Sequence, residues 1–322
     1  LPGFIDLHIH GSGGYEVMGC DPEGILGMAS SLVTRGVTSF LATTLTAPHE
    51  RIMAAIQAVK CAGEQPLEKR AAILGVHLEG PYLNSEYCGA QDSKQIRRSD
   101  RDEFTELTAT GMVRLVTLAP EFQENLWLIA ACKERGITVS AGHTSANLEQ
   151  FKVAIGLGLS QVTHIYNAMV PLSHRTLGTV GAALALDEIT CEMICDNVHV
   201  HPAAQKIVVR TKGVEKVILV SDALGCAGLP EGEYMMDRQK ILNRDGAAYL
   251  ENGRLAGSVI SIDQALINIL TNSGLSLEEG WQMSSLNAAR AIHVDDTKGS
   301  IAPGKDADLV LLDENLGVCM TI

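Results

Sequence analysis

The chain is predicted to fold as an α/β protein, a (β/α)8 TIM-like barrel with a small β appendage, and three observations predict it. Eight short β-branched or apolar runs alternate with segments of helical period. Several of those helical segments open at Pro or Asn and close at Gly. After the eighth run the alternation breaks into short pieces that read as hairpins.

In order, the expected strands are Gly3–His10, Val37–Thr44, Ala71–Leu83, Val113–Pro120, Thr138–Ser145, Gln161–Met169, Ile189–Val200 and Val214–Leu224. Helical stretches such as Pro22–Arg35, Pro48–Ala62, Asn125–Arg135 and Pro202–Thr211 fill the gaps, so the strands should be parallel and buried. The charged, Gly-containing stretch Gly232–Gly253 reads as hairpin strands. Two further helices are expected near Ile262–Thr271 and Leu277–Ala291, followed by a last strand ending at Asp313. The expected division is a barrel over 1–228, a β excursion over 229–256, barrel helices over 257–297 and a return to the small β domain over 298–322. The chain starts without Met inside a strand and stops in mid-pattern, so further residues are expected at both ends.

At 322 residues one large domain with an appendage is reasonable, since barrels of this size are common single domains. Hydrophobic residues at 46% and charged residues at 20% supply a large core and exclude a disordered chain. A formal charge of −13 with no Lys/Arg cluster longer than Arg97–Arg98 argues against nucleic acid or an anionic membrane as partner. No apolar run approaches the roughly 18 residues that span a bilayer, and no basic stretch precedes an apolar one at the N-terminus. Eight cysteines without a Cys-x-x-Cys pair read as reduced core thiols, and the expected location is the cytoplasm.

His8 and His10 end the first strand, where the two-residue period points both imidazoles to one face. In a barrel that face opens at the C-terminal mouth, where active sites are built. His77 with Glu79, His143, His164 and His199 repeat the placement at strands 3, 5, 6 and 7. Any one of them alone reads as a core histidine satisfied by hydrogen bonds. Five strand ends together call for a metal, since neutral imidazole and carboxylate are the ligands of hydrolytic Zn or Fe sites. Asp222 ends strand 8; alone it could cap the next segment, but beside a metal it is the natural general base for a metal-activated water. Strand 4 carries no lysine, which argues against a bridging carbamate there, so Glu79 would have to be the anionic ligand.

With these residues the chain resembles the N-acetylglucosamine-6-phosphate deacetylases of the amidohydrolase superfamily. The matching segments are Pro2–His8, His77–Pro81, Gly142–Ala146, Thr163–Met169, Ser221–Ala223 and Leu255–Ser258, spread over almost the whole chain. The resemblance implies deacetylation of N-acetyl-D-glucosamine 6-phosphate to D-glucosamine 6-phosphate and acetate at a divalent metal, Zn first with Fe or Mn as alternatives. It implies a metal on Glu79, His143 and His164, with Asp222 as base and then acid. Ala90, Gln91, Asn167, Ala168 and Leu255, Ala256 and Gly257 would contact the sugar phosphate. Arg175 and His199 would face its phosphate, in the site of a neighbouring subunit, so a homodimer is expected.

Set against the family, His8 and His10 are retained where some members have non-ligands, which raises the count from one ion to a possible two. Gln91 replaces a carbonyl-polarising histidine of some members, and the N-terminal part of a small β-sandwich is missing. The rival substrate is the C4 epimer, N-acetyl-D-galactosamine 6-phosphate, which His199–Ala203 and Gly228–Gly232 also suggest. A cyclic-imide or N-acyl amino acid hydrolase is disfavoured by Arg175 and His199. A non-catalytic scaffold is disfavoured because every expected ligand is present.

Overall fold

The computed structural model describes residues 1–237 and 239–322. Eight parallel strands follow one another round one sheet: β1 (Phe4–Ile9), β2 (Val37–Thr44), β3 (Ala72–Glu79), β4 (Val113–Leu118), β5 (Thr138–Ala141), β6 (Leu159–Val162), β7 (Thr190–Ile194) and β8 (Val217–Val220). The ring closes where Asp222 N–H donates to His8 O (2.8 Å) and Ile9 bridges Ala223 in parallel. Every residue of β1, β2 and β8 is buried, because helices cover the outside of the sheet and facing strands the inside.

One helix follows each strand: α1 (Pro22–Val33), α2 (His49–Gly63), α3 (Arg101–Thr108), α4 (Gln123–Glu134), α5 (Leu148–Leu157), α6 (Gly178–Ala185), α7 (Pro202–Lys212) and, after an excursion, α8 (Ile262–Ser273). Their starts follow capping chemistry. Asp21 accepts from Glu23 and Gly24 N–H ahead of a Pro at the first position of α1, and Asn147 with Gln150 forms a capping box on α5. Asn125, expected to open its helix, lies instead inside the first turn of α4. It is fully buried, donating to Tyr82 O (3.0 Å) and Ala119 O (2.9 Å), so it ties the helix to the end of β4 rather than capping it.

The single helix expected over Leu277–Ala291 is broken into α9 (Leu277–Gly280), a 3-10 turn (Trp281–Ser284) and α10 (Leu286–Ala291). Ser285 sits at φ −149°, ψ −70°, outside helical geometry, and Ser284 and Ser285 are buried. At Gly280 a Cβ would come within 2.4 Å of Leu270 Cδ2, so any larger residue would have to push the Leu270 side chain aside where this segment presses against α8.

The excursion after β8 is a four-stranded antiparallel meander, β9 (Gly232–Met236), β10 (Gln239–Arg244), β11 (Ala247–Leu250) and β12 (Leu255–Ser258). It is stitched to the C-terminal end of β8: Ser258 N–H donates to Asp222 O (2.8 Å) and Leu224 N–H to Ser258 O (3.1 Å). The expected hairpins therefore reach to Ser258 and hang one more strand over the barrel mouth. The closing hairpin, β13 (Val310–Leu312) with β14 (Val318–Thr321), sits at the other end, where Gly3 N–H donates to Asp308 O (2.8 Å) and Thr321 Oγ1 to Val33 O (2.6 Å).

Candidate metal centre and substrate pocket

Three of the site's side chains lie two residues beyond a strand rather than in it: His143 after β5, His164 after β6 and Asp222 after β8. Each has a positive φ (48°, 31° and 49°), a conformation non-glycine residues seldom adopt. The strand alternation still aims the side chain inward, while the twisted backbone turns the chain out of the barrel. Strained backbone held in place at three strand ends is what a site that must fix its side chains would show. His8 lies within β1 and Glu79 closes β3.

His199 does not end strand 7 as expected. β7 stops at Ile194, and His199 stands on the following turn, where Asp196 Oδ1 accepts from the N–H groups of Val198 (2.9 Å) and His199 (2.8 Å). This Asx-type turn outcompetes strand extension. His77 is in β3 on the same inward face as Glu79 but one pleat deeper, its ring 4.6 Å from that of His8. Its Nδ1–H donates to Leu7 O (3.1 Å) and its Nε2 accepts from Thr117 Oγ1 (2.7 Å), the satisfied core histidine that any single strand-end histidine could have been.

The remaining groups converge. Glu79 Oε1 lies 3.1 Å from His143 Nε2, 3.2 Å from His164 Nε2 and 3.5 Å from His8 Nε2; its Oε2 lies 3.3 Å from His10 Nε2. Asp222 Oδ1 is 3.4 Å from His8 Nε2 and 3.2 Å from His10 Nε2. Two groups of possible ligands result, Glu79 with His143 and His164, and His8 with His10 and Asp222. Glu79 touches both.

The donor chemistry fits a divalent ion. His143 Nδ1 faces Tyr87 O (2.9 Å) and His10 Nδ1 faces Thr43 O (3.2 Å); a carbonyl only accepts, so both Nδ1 atoms carry the proton and both Nε2 atoms present lone pairs. His8 Nδ1 likewise faces the Glu192 carboxylate (3.3 Å). His8 and His10 Nε2 are then 3.3 Å apart, an arrangement satisfied by a proton shared between them or by a metal ion that both ligate. Ligand atoms 3.1–3.5 Å apart also match the edge of about 3.3 Å of a tetrahedron with bonds of ~2.0–2.1 Å.

The charges say the same. Burial would raise the Glu79 carboxyl, but the His8 charge and hydrogen bonds from His10, His143 and His164 hold it well below the ordinary carboxylate range. Asp222, despite burial, is lowered to about 2 by His8 and His10. Burial would lower His10, yet its bonds to Asp222 and Glu79 raise it to about 9. The carboxylates that raise His8 and His10 would equally draw a divalent cation, whose binding displaces the protons of those two imidazoles.

These groups floor a cavity of about 130 Å³. Ala90, Gln91, Asn167, Ala168, His199, Leu255, Ala256 and Gly257 all line it, and so do Leu45 and Gly89, which sequence reasoning missed because neither carries reactive chemistry. Arg175 does not line it; it is exposed on the 171–177 segment. Gln91 is pinned, Nε2 donating to Glu79 Oε2 (2.5 Å) and Oε1 accepting from Thr46 N–H (2.7 Å). One amide hydrogen is therefore committed to orienting Glu79. At Gly257, a Cβ would stand 3.0 Å from Leu224 Cγ and 3.1 Å from Asp222 O, so glycine lets β12 close on the Asp222 turn. His199 Nδ1 bonds Asp196 Oδ2 (2.6 Å); burial opposes the charged form, but Asp196 raises the imidazole pKa and favours a cation at the cavity edge.

A family model for the amidohydrolase family matches residues 1–320. The N-acetylglucosamine-6-phosphate deacetylase of Lysinibacillus sphaericus is 38% identical over 100% of this chain and 83% of that protein. The N-acetylgalactosamine-6-phosphate deacetylase of Escherichia coli O157:H7 is 36% identical over 98% of this chain and 84% of its own length. Among solved structures, a variant of the Mycobacterium smegmatis N-acetyl-D-glucosamine-6-phosphate deacetylase in complex with N-acetyl-D-glucosamine 6-phosphate superposes with a TM-score of 0.94. It is 30% identical, with 100% of this chain and 84% of that one covered. A match of this extent, on a barrel whose mouth gathers two His/carboxylate groups, shows that the chain belongs to the amidohydrolase family of metal-dependent hydrolases.

Proposed function

We propose that the protein deacetylates N-acetyl-D-glucosamine 6-phosphate to D-glucosamine 6-phosphate and acetate. The observation that carries this reading is Asp222 beside the Glu79, His143 and His164 group on the floor of a cavity, in a chain alike over its full length to named deacetylases. Glu79, His143 and His164 would hold a first divalent ion, and His8 with His10 and Asp222 a second, with Zn the favoured metal and Fe or Mn alternatives. A bound ion supplies Lewis-acid polarisation of the acetyl carbonyl and an acidified water. Asp222 takes the proton of the attacking water and returns it to the departing amine. Gln91 keeps Glu79 oriented, and Asn167, Ala168, Ala90 and the Leu255–Gly257 strand position the sugar. The catalytic unit is residues 1–228 with 257–297, and the 229–256 excursion contributes the Leu255 wall.

Arg175 lies outside its own cavity, on a segment where Leu172 and Leu177 are also exposed. That supports a homodimer in which Arg175 reaches the phosphate in the neighbouring site, near His199. Arg175→Met should then raise KM for the phosphorylated sugar far more than for N-acetylglucosamine, because a charge-assisted phosphate contact contributes about 1.5–3 kcal/mol. Equal changes for both sugars would remove Arg175 from the phosphate site. Eight unpaired thiols favour a reducing compartment, and the cytoplasm is the proposed location.

The galacto epimer is the second reading, favoured by the 36% identical E. coli relative. Acetate release from both epimers by metal-replete protein tests the choice. A kcat/KM at least about tenfold higher for the gluco sugar, some 1.4 kcal/mol of discrimination, is expected. The reverse order assigns the galacto sugar, and no release from either overturns the deacetylase reading.

A further inference from the structure

Glu192 enters the barrel interior from the middle of β7 and is fully buried. Its Oε2 lies 3.3 Å from His8 Nδ1, and its Oε1 has no hydrogen-bond partner among the described residues. A buried carboxylate with an unsatisfied oxygen is poor architecture, since an apolar side chain of similar volume would fill the space without the desolvation cost. The neighbouring interior shows what an architectural polar network looks like here. Ser140, Thr163 and Thr117 hydroxyls link at 2.6 and 2.7 Å and end on His77, whose other nitrogen is met by Leu7 O. Glu192 belongs to none of it.

Its one bond goes to the back of His8, whose front nitrogen faces His10 (3.3 Å), Asp222 (3.4 Å) and Glu79 (3.5 Å). The backing of the other imidazoles differs in kind. His10 and His143 are held from behind by neutral carbonyls, of Thr43 and Tyr87. Only His8 of these three is backed by a carboxylate. A carboxylate behind an imidazole fixes the tautomer that presents its lone pair and raises its strength as a ligand.

We propose that Glu192 is a positioning residue that commits His8, and with it the His8–His10–Asp222 side of the centre, to holding a second divalent ion. The inference deepens the two-ion reading given above and rests on it. Glu192 acts through His8 and, among the described residues, makes no side-chain hydrogen bond to the Glu79–His143–His164 group. Its loss should therefore act on one of two ions.

The test is a competition for Zn2+ between the metal-loaded protein and a chromophoric chelator. Wild-type protein should give up two equivalents. Glu192→Gln keeps the volume and an acceptor oxygen but removes the charge; it should lose its weaker equivalent at about 10–100-fold lower chelator concentration, the usual cost of losing such a partner, while the tighter one is unchanged. In a His8→Gln background the same substitution should change nothing further. Should Glu192→Gln not fold, Glu192→Asp, which withdraws the charge by one methylene, takes its place with the same expected direction. A lowered melting temperature with unchanged affinity for both equivalents would mean that Glu192 is only architectural and overturns the proposal. A single equivalent in the wild type overturns the two-ion reading itself, and that result is seen before any variant is compared.

Discussion

Replacing Glu79 by Gln should strip the protein of tightly held metal and abolish deacetylation with it. Glu79 is the one carboxylate in its ligand group, and its two oxygens reach toward four imidazoles within 3.1–3.5 Å. The amide keeps the shape and could still bond Gln91, but it removes the negative charge that offsets a divalent cation in a buried site. Two neutral imidazoles cannot replace it, and the same carboxylate also faces His8 and His10 of the second group, so total occupancy after desalting should fall below about a tenth of an equivalent, beyond the ~10–100-fold loss typical of an outer partner. Elemental analysis reads this directly. Melting temperature gives a second readout, because an ion bound only by the folded state adds stability by mass action. Added Zn2+ should raise the wild-type midpoint and leave the variant's in place. Full metal occupancy in Glu79→Gln would refute the assignment of Glu79 as a ligand.

The barrel was legible because buried parallel strands must be apolar and β-branched, and chains such as Val217–Val220 say so without tertiary help. The mouth was legible for a related reason: a two-residue period carries His8 and His10 to one face whatever the exact strand end. Boundaries were less so. His164 and Asp222 fall beyond their strands because the backbone turns to positive φ there, a cost only the assembled site explains. His199 drifted off strand 7 because Asp196 offers its N–H a nearer partner than the ladder does. His77 shares its strand and face logic with Glu79, yet lies one pleat deeper, among the hydroxyls; periodicity assigns a face, not a depth. Glu192 was invisible as a functional residue, since a lone Glu in an apolar run announces neither its burial nor its bond to a residue 184 positions away. The break at Ser285 has the same origin, because a helical pattern in Leu277–Ala291 does not record how closely Gly280 must approach Leu270.

Asp222→Asn should separate catalysis from the binding of the first ion. Burial opposes its ionisation, yet His8 and His10 lower it to about 2, so it is anionic at neutral pH, the form a general base needs. Asparagine keeps the volume and can hydrogen-bond water, but it cannot take that proton or return it to an amine. kcat should therefore fall by at least the ~10²–10⁴-fold typical of acid–base groups. The Glu79–His143–His164 ion should remain, because Asp222 belongs to the other ligand group. A merely structural Asp222 behaves differently. Its backbone already carries the turn, with N–H bonded to His8 O and carbonyl bonded to Ser258 N–H, and asparagine tolerates the left-handed φ of 49° at least as well. On that alternative the variant would lose at most about 0.5–2 kcal/mol of stability and keep near-normal turnover. Measuring kcat, bound metal and melting temperature on one preparation distinguishes the two, and a folded Asn variant retaining more than about a tenth of wild-type kcat removes Asp222 from the proton-transfer role.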